Sequence, residues 1–387
     1  MLETTPLHLT RVSLHRFKAA YRLTDVPLRP FNVIIGRNGV GKSTLLEGLQ
    51  WIDTAIRNTV NVACDRYNGI SDLINHRYSS DPPGFELDVR LENNDAGFAR
   101  YVCRIVEENG QASVASETLR IGGTTSPIGK LCLSTENPRT PGTRPLTPDR
   151  LALARVDEHV QDPGLEIFGF DIAAFWQNAV FLRLEPTDLA RGSALKRPSL
   201  APLLDEVGSM LPALIAELDD EARQDLTDML QSVLPDFRDV EVLQSSRAGN
   251  YALREDIIFK GKAGRKSFAI PSWMLSEGTR RMTAIFALLA HRPGPSLLCI
   301  EEIENGLDPI SVRKVLHHLE EASRRGVQVV LTTHSPWLLD DVDLADVQIV
   351  RRALGDTTYT RLQDDPASQQ ADPRVRPGGR YIDILET

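Results

Sequence analysis

The sequence predicts an α/β fold with a mostly parallel sheet, an antiparallel strand-rich subdomain towards the N-terminus and a short helical insertion. Three observations predict it. First, the apolar, largely β-branched run from Phe31 to Ile35 stops abruptly at Gly36. Helical periodicity then runs from Lys42 to about Arg57, carried by Leu45, Leu46, Leu49, Ile52 and Ile56. Second, the last third alternates tightly: a helix over Thr279 to His291, a strand over Leu297 to Glu301, a helix over Pro309 to Arg325, and a strand over Val327 to Thr333. Such alternation builds βαβ units and hence parallel strands. Third, Phe85-Glu-Leu-Asp-Val-Arg-Leu alternates with period two, and Glu108-Asn-Gly reads as a turn between two further strands reaching residue 121.

The remaining elements follow in order. Leu7, Leu9, Val12, Leu14 and Phe17 read as an N-terminal strand. Between Gly122 and Asp149 the composition shifts to Pro, Thr and Gly, which reads as a surface loop. From Pro186 to Phe268 the character changes again. Leu211, Leu214, Ile215 and Leu218, then Leu226, Leu230, Val233 and Leu234, form two apolar stripes flanking the polar Asp219 to Arg223. This pattern predicts an inserted helical hairpin with a solvated acidic face, followed by strands near Val240, Tyr251 to Phe259 and Ser267 to Ile270. A further helix opens at Ser335-Pro336. The chain therefore divides into 1–185, 186–267 and 268–387.

Composition narrows the function classes. With 41% hydrophobic and 25% charged residues among 387, the chain reads as an ordinary globular protein. Apolar runs such as Ala284 to Ala290 are too short to span a bilayer, and Met1 to Arg11 lacks the apolar segment of a secretory signal. Cys64, Cys103, Cys132 and Cys299 are widely spaced, which fits a reducing cytoplasm. The formal charge of −9 means that any nucleic-acid contact must come from a local patch.

Four segments carry chemistry. Gly36-Arg-Asn-Gly-Val-Gly41-Lys42-Ser43 matches G-x-x-x-x-G-K-[ST] in full, with a strand before it and an amphipathic helix after it. Glycines let backbone N–H groups wrap a phosphate, Lys42 reaches the β- and γ-phosphates, and Ser43 ligates Mg²⁺. Gly36, Asn38, Gly39, Gly41, Lys42, Ser43 and Thr44 are thus the nucleotide-binding candidates. Leu297-Leu-Cys-Ile-Glu301-Glu302 is an apolar strand ending in two carboxylates, placed to face a metal and to polarise a water. Leu275-Ser276-Glu277-Gly278-Thr279 opens a helix. Taken alone it is a plain N-cap, but it also offers a hydroxyl, N–H groups and a helix dipole to an anion. Thr332-Thr333-His334-Ser335-Pro336 ends a strand with an imidazole able to reach a γ-phosphate.

In the order P-loop, insertion, LSEGT, acidic strand, Gly306-Leu307-Asp308 and His334, the chain resembles the ABC ATPase superfamily. Within it, Leu14-His-Arg-Phe17-Lys18, Glu301-Glu-Ile-Glu-Asn-Gly-Leu-Asp-Pro309 and Thr333-His-Ser-Pro are similar to RecF/SMC-like DNA-associated ATPases. The same phrases occur in small ATPases of bacterial defence systems and in OLD-like nucleases. The resemblance covers about 1–185 and 268–387. It implies an ATPase requiring ATP and Mg²⁺, with Ser43 and Glu301 holding the metal and Glu302 as general base. It further implies that Ser276 and Gly278 contact ATP held by a second subunit, that Asp308 belongs to the dimer-crossing loop, and that His334 is the switch histidine. An ATP-dependent homodimer follows from so divided a site. Three departures stand out: Glu301 replaces the usual Asp, Lys18 sits where some relatives carry Arg, and the metal-contacting Gln has no clear counterpart, with Gln177 before a strand and Glu185 just after it.

The spacing between Lys42 and Ser276 leaves no room for a long coiled-coil arm, and the stretch beyond His334 is short for an appended nuclease domain. Asp341-Val-Asp343 resembles a metal pair but reads as a helix-ending acidic loop. Two functions therefore compete. One is a clamp or motor on duplex DNA in repair or phage defence, using basic spots at Arg183, Arg191, Lys196 and Arg197 and at Lys260, Lys262, Arg265 and Lys266. The other is a nucleotide-gated regulator of a separately encoded nuclease or toxin. A transporter subunit working with membrane permeases is the least favoured.

Overall fold

The computed structural model describes residues 7–77, 81–93, 97–122, 129–133, 148–155, 172–197, 201–244, 249–258 and 265–386. The chain forms two compact units, Met1–Ala179 with Thr332–Thr387, and Val180–Leu331.

The first unit opens with β1 (His8–His15) and β2 (Thr24–Pro27), then β3 (Phe31–Ile35), α1 (Lys42–Arg57) and α2 (Val60–Asp65). The long strands β4 (Gly84–Glu92), β5 (Phe98–Glu108) and β6 (Gln111–Gly122) and the short β7 (Gly129–Leu133) follow. These build an antiparallel sheet in the order β2-β1-β4-β5-β6-β7. Alternation buries one face of it through Leu14, Phe85, Leu87, Val89, Tyr101 and Cys103. Phe85 meets Phe17 and Trp51 edge-on, at 5.1 and 5.2 Å between ring centroids. Gly48 lets α1 approach closely, since a Cβ there would stand 3.0 Å from Leu14 Cδ2. Asn109 and Gly110 both take positive φ, as the tight β5–β6 hairpin demands. β7 corrects the loop expected over 122–149: an extended segment there extends the free edge of β6. Residues 123–128 and 134–147 of that stretch lie outside the described residues.

The second unit begins with β8 (Ala179–Leu182), whose first residue belongs to the first unit, and α3 (Pro186–Leu189). The hairpin of α4 (Leu211–Glu217) and α5 (Asp220–Val233) comes next. Asp219 caps α5 by accepting from Ala222 N at 2.8 Å. Leu211, Leu214, Ile215, Leu226 and Leu230 are buried, and Asp219, Asp220 and Glu221 are exposed, as the two stripes require. β9 (Phe237–Gln244), β10 (Gly249–Ile258) and β11 (Arg265–Pro271) form an antiparallel sheet with β10 central. Then come α6 (Glu277–Ala290), β12 (Leu297–Ile300), α7 (Pro309–Arg324) and β13 (Gln328–Thr333), with β12 and β13 parallel and β8 on the other side of β12. α4 and α5 both pack on α6.

The chain returns to the first unit at Thr332. A 3₁₀ segment (Pro336–Asp341) replaces the helix expected at Ser335-Pro336. β14 (Val347–Ala353) pairs parallel with β3 and antiparallel with β15 (Asp356–Arg361), and α8 (Pro366–Gln370) and α9 (Pro377–Glu386) close the chain.

Candidate active site

In the first unit the P-loop links β3, whose five residues are all buried, to α1. Gly39 and Gly41 take φ of 74° and 108°, values that L side chains resist. A Cβ on Gly36 would lie 2.7 Å from Val350 O, and one on Gly41 would lie 2.7 Å from Thr357 Oγ1. The loop is clamped from outside by β15. Thr357 Oγ1 donates to Val40 O at 2.9 Å, and Tyr359 OH donates to Gly41 O at 2.6 Å. Lys42 is buried, and its Nζ donates to Gly36 O (2.8 Å) and Arg37 O (3.0 Å). It also stands 3.2 Å from His334 Nδ1; with that atom as acceptor, the ring proton sits on Nε2. Lys42 is thus curled back over its own loop with the switch-histidine candidate against it. Ser43, Asn38 and Gly39 are exposed, while Thr44 is buried and its N donates to Gly41 O.

In the second unit β12 ends at Ile300, so Glu301 and Glu302 stand just past the strand. Glu302 has φ of 47°, a left-handed conformation costly for this residue type. Arg281 and Asn305 hold it, the latter also through its N, which donates to Glu302 O at 3.0 Å. Arg281, only 2% exposed, donates through Nη2 to Glu301 O (3.0 Å) and Glu302 O (2.9 Å), and Asn305 Nδ2 donates to Glu302 Oε2 at 2.5 Å. Burial pushes the Arg281 pKa down, against the pull of nearby carboxylates that include Glu277 and Glu304. Arg281 is a positioning residue that sequence reasoning missed, because nothing in its neighbourhood of the chain points to Glu301. The Glu301 carboxylate itself is held by Arg183, Nε to Oε2 at 2.7 Å.

Ser276 is the N-cap of α6: its Oγ accepts from Thr279 N at 3.1 Å and lies 2.8 Å from Thr279 Oγ1. Gly278 is buried, and a Cβ there would collide with Gly306 O. Gly306, with φ of 72°, lies against the Glu277 side chain. The LSEGT segment and the Gly306-Leu307-Asp308 loop are therefore locked together. Asp308 caps α7, accepting from Ile310 N, Ser311 N and Ser311 Oγ, and these bonds, that of Ser311 Oγ foremost, hold its pKa below the usual carboxylate value. Around this pair of segments Trp273, Met274 and Ile310 are 56%, 70% and 70% exposed.

The fold thus brings Gly36, Gly41, Lys42 and His334 together in one unit. In the other it brings Ser276 and Gly278 to the Asp308 loop, and ties Glu301 to Glu302 through Arg281. The ligand set expected for Mg²⁺, the exposed Ser43 hydroxyl and the Glu301 carboxylate, consists of hard oxygen donors suited to that ion. Among the described residues no group of three or more His, Cys, Asp or Glu could hold a metal ion alone. Asp343 of the acidic loop caps a short turn by accepting from Ala345 N. Lys18 pairs with Glu47 at 2.7 Å and lies over the Tyr67 ring. Gln177 is exposed with its carbonyl on Arg57 Nη2, and Glu185 is exposed at the start of α3.

The first basic spot differs from expectation. Arg183, Arg191 and Arg197 each face a carboxylate, on Glu301, Asp188 and Glu217 respectively, so the first spot presents little net positive field. Lys260 and Lys262 lie outside the described residues. A different basic feature is present: Arg11, Arg90, Arg100 and Arg120 are direct cross-strand partners in one row over β1, β4, β5 and β6. Asp25, Glu92 and Asp88 lie against the first three, and no described carboxylate pairs with Arg120.

Comparison with known proteins bears on the family and the fold. A family model described as "AAA domain, putative AbiEii toxin, Type IV TA system" matches residues 31–98 and 188–340, more than half of the chain. Among curated relatives, an energy-coupling factor transporter ATP-binding protein of Methanococcus maripaludis is 31% identical over 124 residues, 30% of this chain and 42% of that protein. A cytochrome c biogenesis ATP-binding export protein of Pseudomonas syringae pv. tomato is 34% identical over 87 residues, 22% of this chain and 39% of that one. The chain spans less than half the length of these relatives. Among solved structures, an SMC head bound to the C-winged helix domain of ScpA is 15% identical at a TM-score of 0.58, covering 91% of this chain and 97% of that one. An Smc head with an extended coiled coil, bound to the C-terminal domain of ScpA derived from Pyrococcus furiosus, is 13% identical at 0.53, covering 98% and 99%. At such identities the likeness speaks for the fold alone, that of an SMC head, and the family match over more than half of the chain makes it a member of that AAA-domain family.

Proposed function

We propose that the chain binds Mg-ATP in its P-loop and hydrolyses it across an interface with a second copy of itself. One observation carries this reading: the LSEGT segment and the Asp308 loop are locked together and ringed by exposed Trp273, Met274 and Ile310. Large apolar side chains left in water beside a helix N-terminus suit a surface that closes on a partner's nucleotide. On binding, Lys42 Nζ exchanges its two loop carbonyls for phosphate oxygens, and His334 is released toward the γ-phosphate. Ser43 and Glu301 would hold a magnesium ion, which would supply charge neutralisation to the phosphates. Glu302 takes the proton of the attacking water as the water oxygen bonds to the γ-phosphorus and the bond to the ADP oxygen breaks. Ser276 and Gly278 N–H of the second copy face the γ-phosphate, with the Asp308 loop beside them.

The proposed output is a DNA-associated clamp or motor in repair or phage defence, in a reducing cytoplasm. The exposed end of the arginine row supports it: Asp25, Glu92 and Asp88 offset Arg11, Arg90 and Arg100, while Arg120, which no described carboxylate pairs, stands directly opposite Arg100. The pairing of Arg183, Arg191 and Arg197 with carboxylates favours a second reading, a nucleotide-gated regulator of a separately encoded nuclease or toxin. No helix among the described residues is long and apolar enough to cross a membrane.

Sizing of the Glu302→Gln protein with and without Mg-ATP, with duplex DNA in a parallel run, tests both levels. The expected result is a shift from monomer to dimer on adding ATP, absent in Lys42→Ala, with DNA co-migrating more weakly as salt rises. A protein that stays monomeric with ATP bound refutes the divided site. A dimer that ignores DNA leaves the regulator as the reading that stands.

A further inference from the structure

One side chain of the second unit sits where a cation is expected. Arg183 follows β8 directly, and its guanidinium covers both oxygens of Glu301, Nε to Oε2 at 2.7 Å and Nη2 to Oε1 at 3.4 Å. A planar guanidinium that spans a carboxylate in this way uses the lone pairs a divalent ion would need. The same Nε lies 3.6 Å from Glu206 Oε1, a second carboxylate with no place in the chemistry proposed above.

The frame around this trio is tight. Arg183 N and Leu184 N both donate to Glu206 O at 2.9 Å, and Glu185 N donates to Val207 O at 3.1 Å. On the other side Glu301 N donates to Leu182 O at 3.0 Å, and Arg281 holds Glu301 O. Both carboxylates are therefore pinned by their backbones to the same strand end. Arg183 is about half exposed, and its long side chain reaches both of them, at 3.6 Å from Glu206 and 2.7 Å from Glu301. Glu301 is one methylene longer than the Asp usual at this position, which gives the carboxylate the reach to meet the guanidinium with both oxygens.

We propose that Arg183 is an internal counter-ion that competes with the divalent cation for Glu301, and that Glu206 receives its guanidinium when the metal arrives. This inference rests on the reading of Glu301 as a metal-holding carboxylate. A dication and a guanidinium on one carboxylate repel each other at short range, so metal entry displaces Arg183 by a small swing to Glu206. The arrangement raises the metal concentration the site requires. It also keeps Glu301 paired while the nucleotide is absent.

The test is equilibrium binding of Mn²⁺, followed by electron paramagnetic resonance, to the full chain saturated with a non-hydrolysable ATP analogue. Arg183→Gln should bind Mn²⁺ more tightly, by up to about fivefold, the factor that an exposed ion pair of about 1 kcal/mol represents. Glu206→Gln removes the resting place and should weaken Mn²⁺ binding. Arg183→Lys, which keeps the charge but covers one oxygen at a time, should fall between wild type and Arg183→Gln and serves if the glutamine variant does not fold. Unchanged or weaker Mn²⁺ binding by both Arg183 variants, with Glu301→Gln binding poorly, overturns the competition. If Glu301→Gln binds Mn²⁺ as wild type does, the fault lies instead in the assignment of Glu301 as ligand.

Discussion

Arg281→Met separates the chemistry of Glu302 from the binding of nucleotide. The guanidinium is 2% exposed and donates to the carbonyls of Glu301 and Glu302 at 3.0 and 2.9 Å. Hydrogen bonds with one charged partner contribute about 1.5–3 kcal/mol each. Against them stands the desolvation that pushes the Arg281 pKa down, and among the described residues the buried Arg281 Nε has no hydrogen-bond partner. Methionine keeps the stem volume but takes the guanidinium from Glu301 O, while Glu302 O keeps Asn305 N at 3.0 Å, so a net loss of about 1–3 kcal/mol in the stability of this unit is expected. The functional effect is larger. Glu302 holds φ of 47°, a strain on the order of 1–3 kcal/mol that persists only while its surroundings enforce it. Freed of Arg281, the peptide relaxes and the carboxylate moves. A displacement of about 1 Å lowers kcat roughly 100-fold. Steady-state hydrolysis and nucleotide titration, both at a temperature where melting shows the variant folded, should give kcat reduced to that extent and ATP affinity unchanged. A kcat within about threefold of wild type, in a folded variant, would falsify the positioning role and leave Arg281 as packing alone.

Two further outcomes follow from single residues. Gly41→Ala forces an L side chain into φ of 108° and brings its Cβ within 2.7 Å of Thr357 Oγ1, so ATP affinity measured by fluorescence titration should fall more than about tenfold; unaltered affinity would mean that the loop backbone is not the phosphate cradle. Burial pushes Glu117 up to about 7 from 4.5, while Tyr101 OH and the N–H groups of Ala152 and Leu153 pull the other way. Its folded pKa is therefore above its unfolded one. The stability it contributes is full below about pH 4.5 and is lost as pH rises through 7. Thermal melting of Glu117→Gln from pH 4.5 to 8 should show a flatter fall than wild type, and an identical slope would place the titration elsewhere.

The reactive segments were legible in the sequence because each is contiguous and each answers to a local rule. A phosphate cradle needs glycine within a few residues of lysine, so Gly36 to Ser43 announces itself, and α1 begins at Lys42 and ends at Arg57 as its periodicity dictates. What holds those segments in place obeys no such rule. Any donor can satisfy a carbonyl, so Thr357 and Tyr359, more than 300 residues beyond the loop they clamp, look like ordinary alternating strand residues. Arg281 looks like one more charge on a helix, and Arg183 looks like part of a basic spot, until the folded chain puts each against Glu301. The misread spot at Arg183, Arg191 and Arg197 has the same origin: charge in a sequence is counted by position along the chain, whereas its field depends on which carboxylates fold beside it. Arg11, Arg90, Arg100 and Arg120 are spread over more than 100 residues and form one row only through strand register. For this protein the motifs are written locally, while the residues that hold them, Arg183, Arg281 and Tyr359 among them, are placed by long-range pairing. Substitutions at Arg183, Arg281 and Tyr359 should accordingly tune the ATPase without touching any motif that names it.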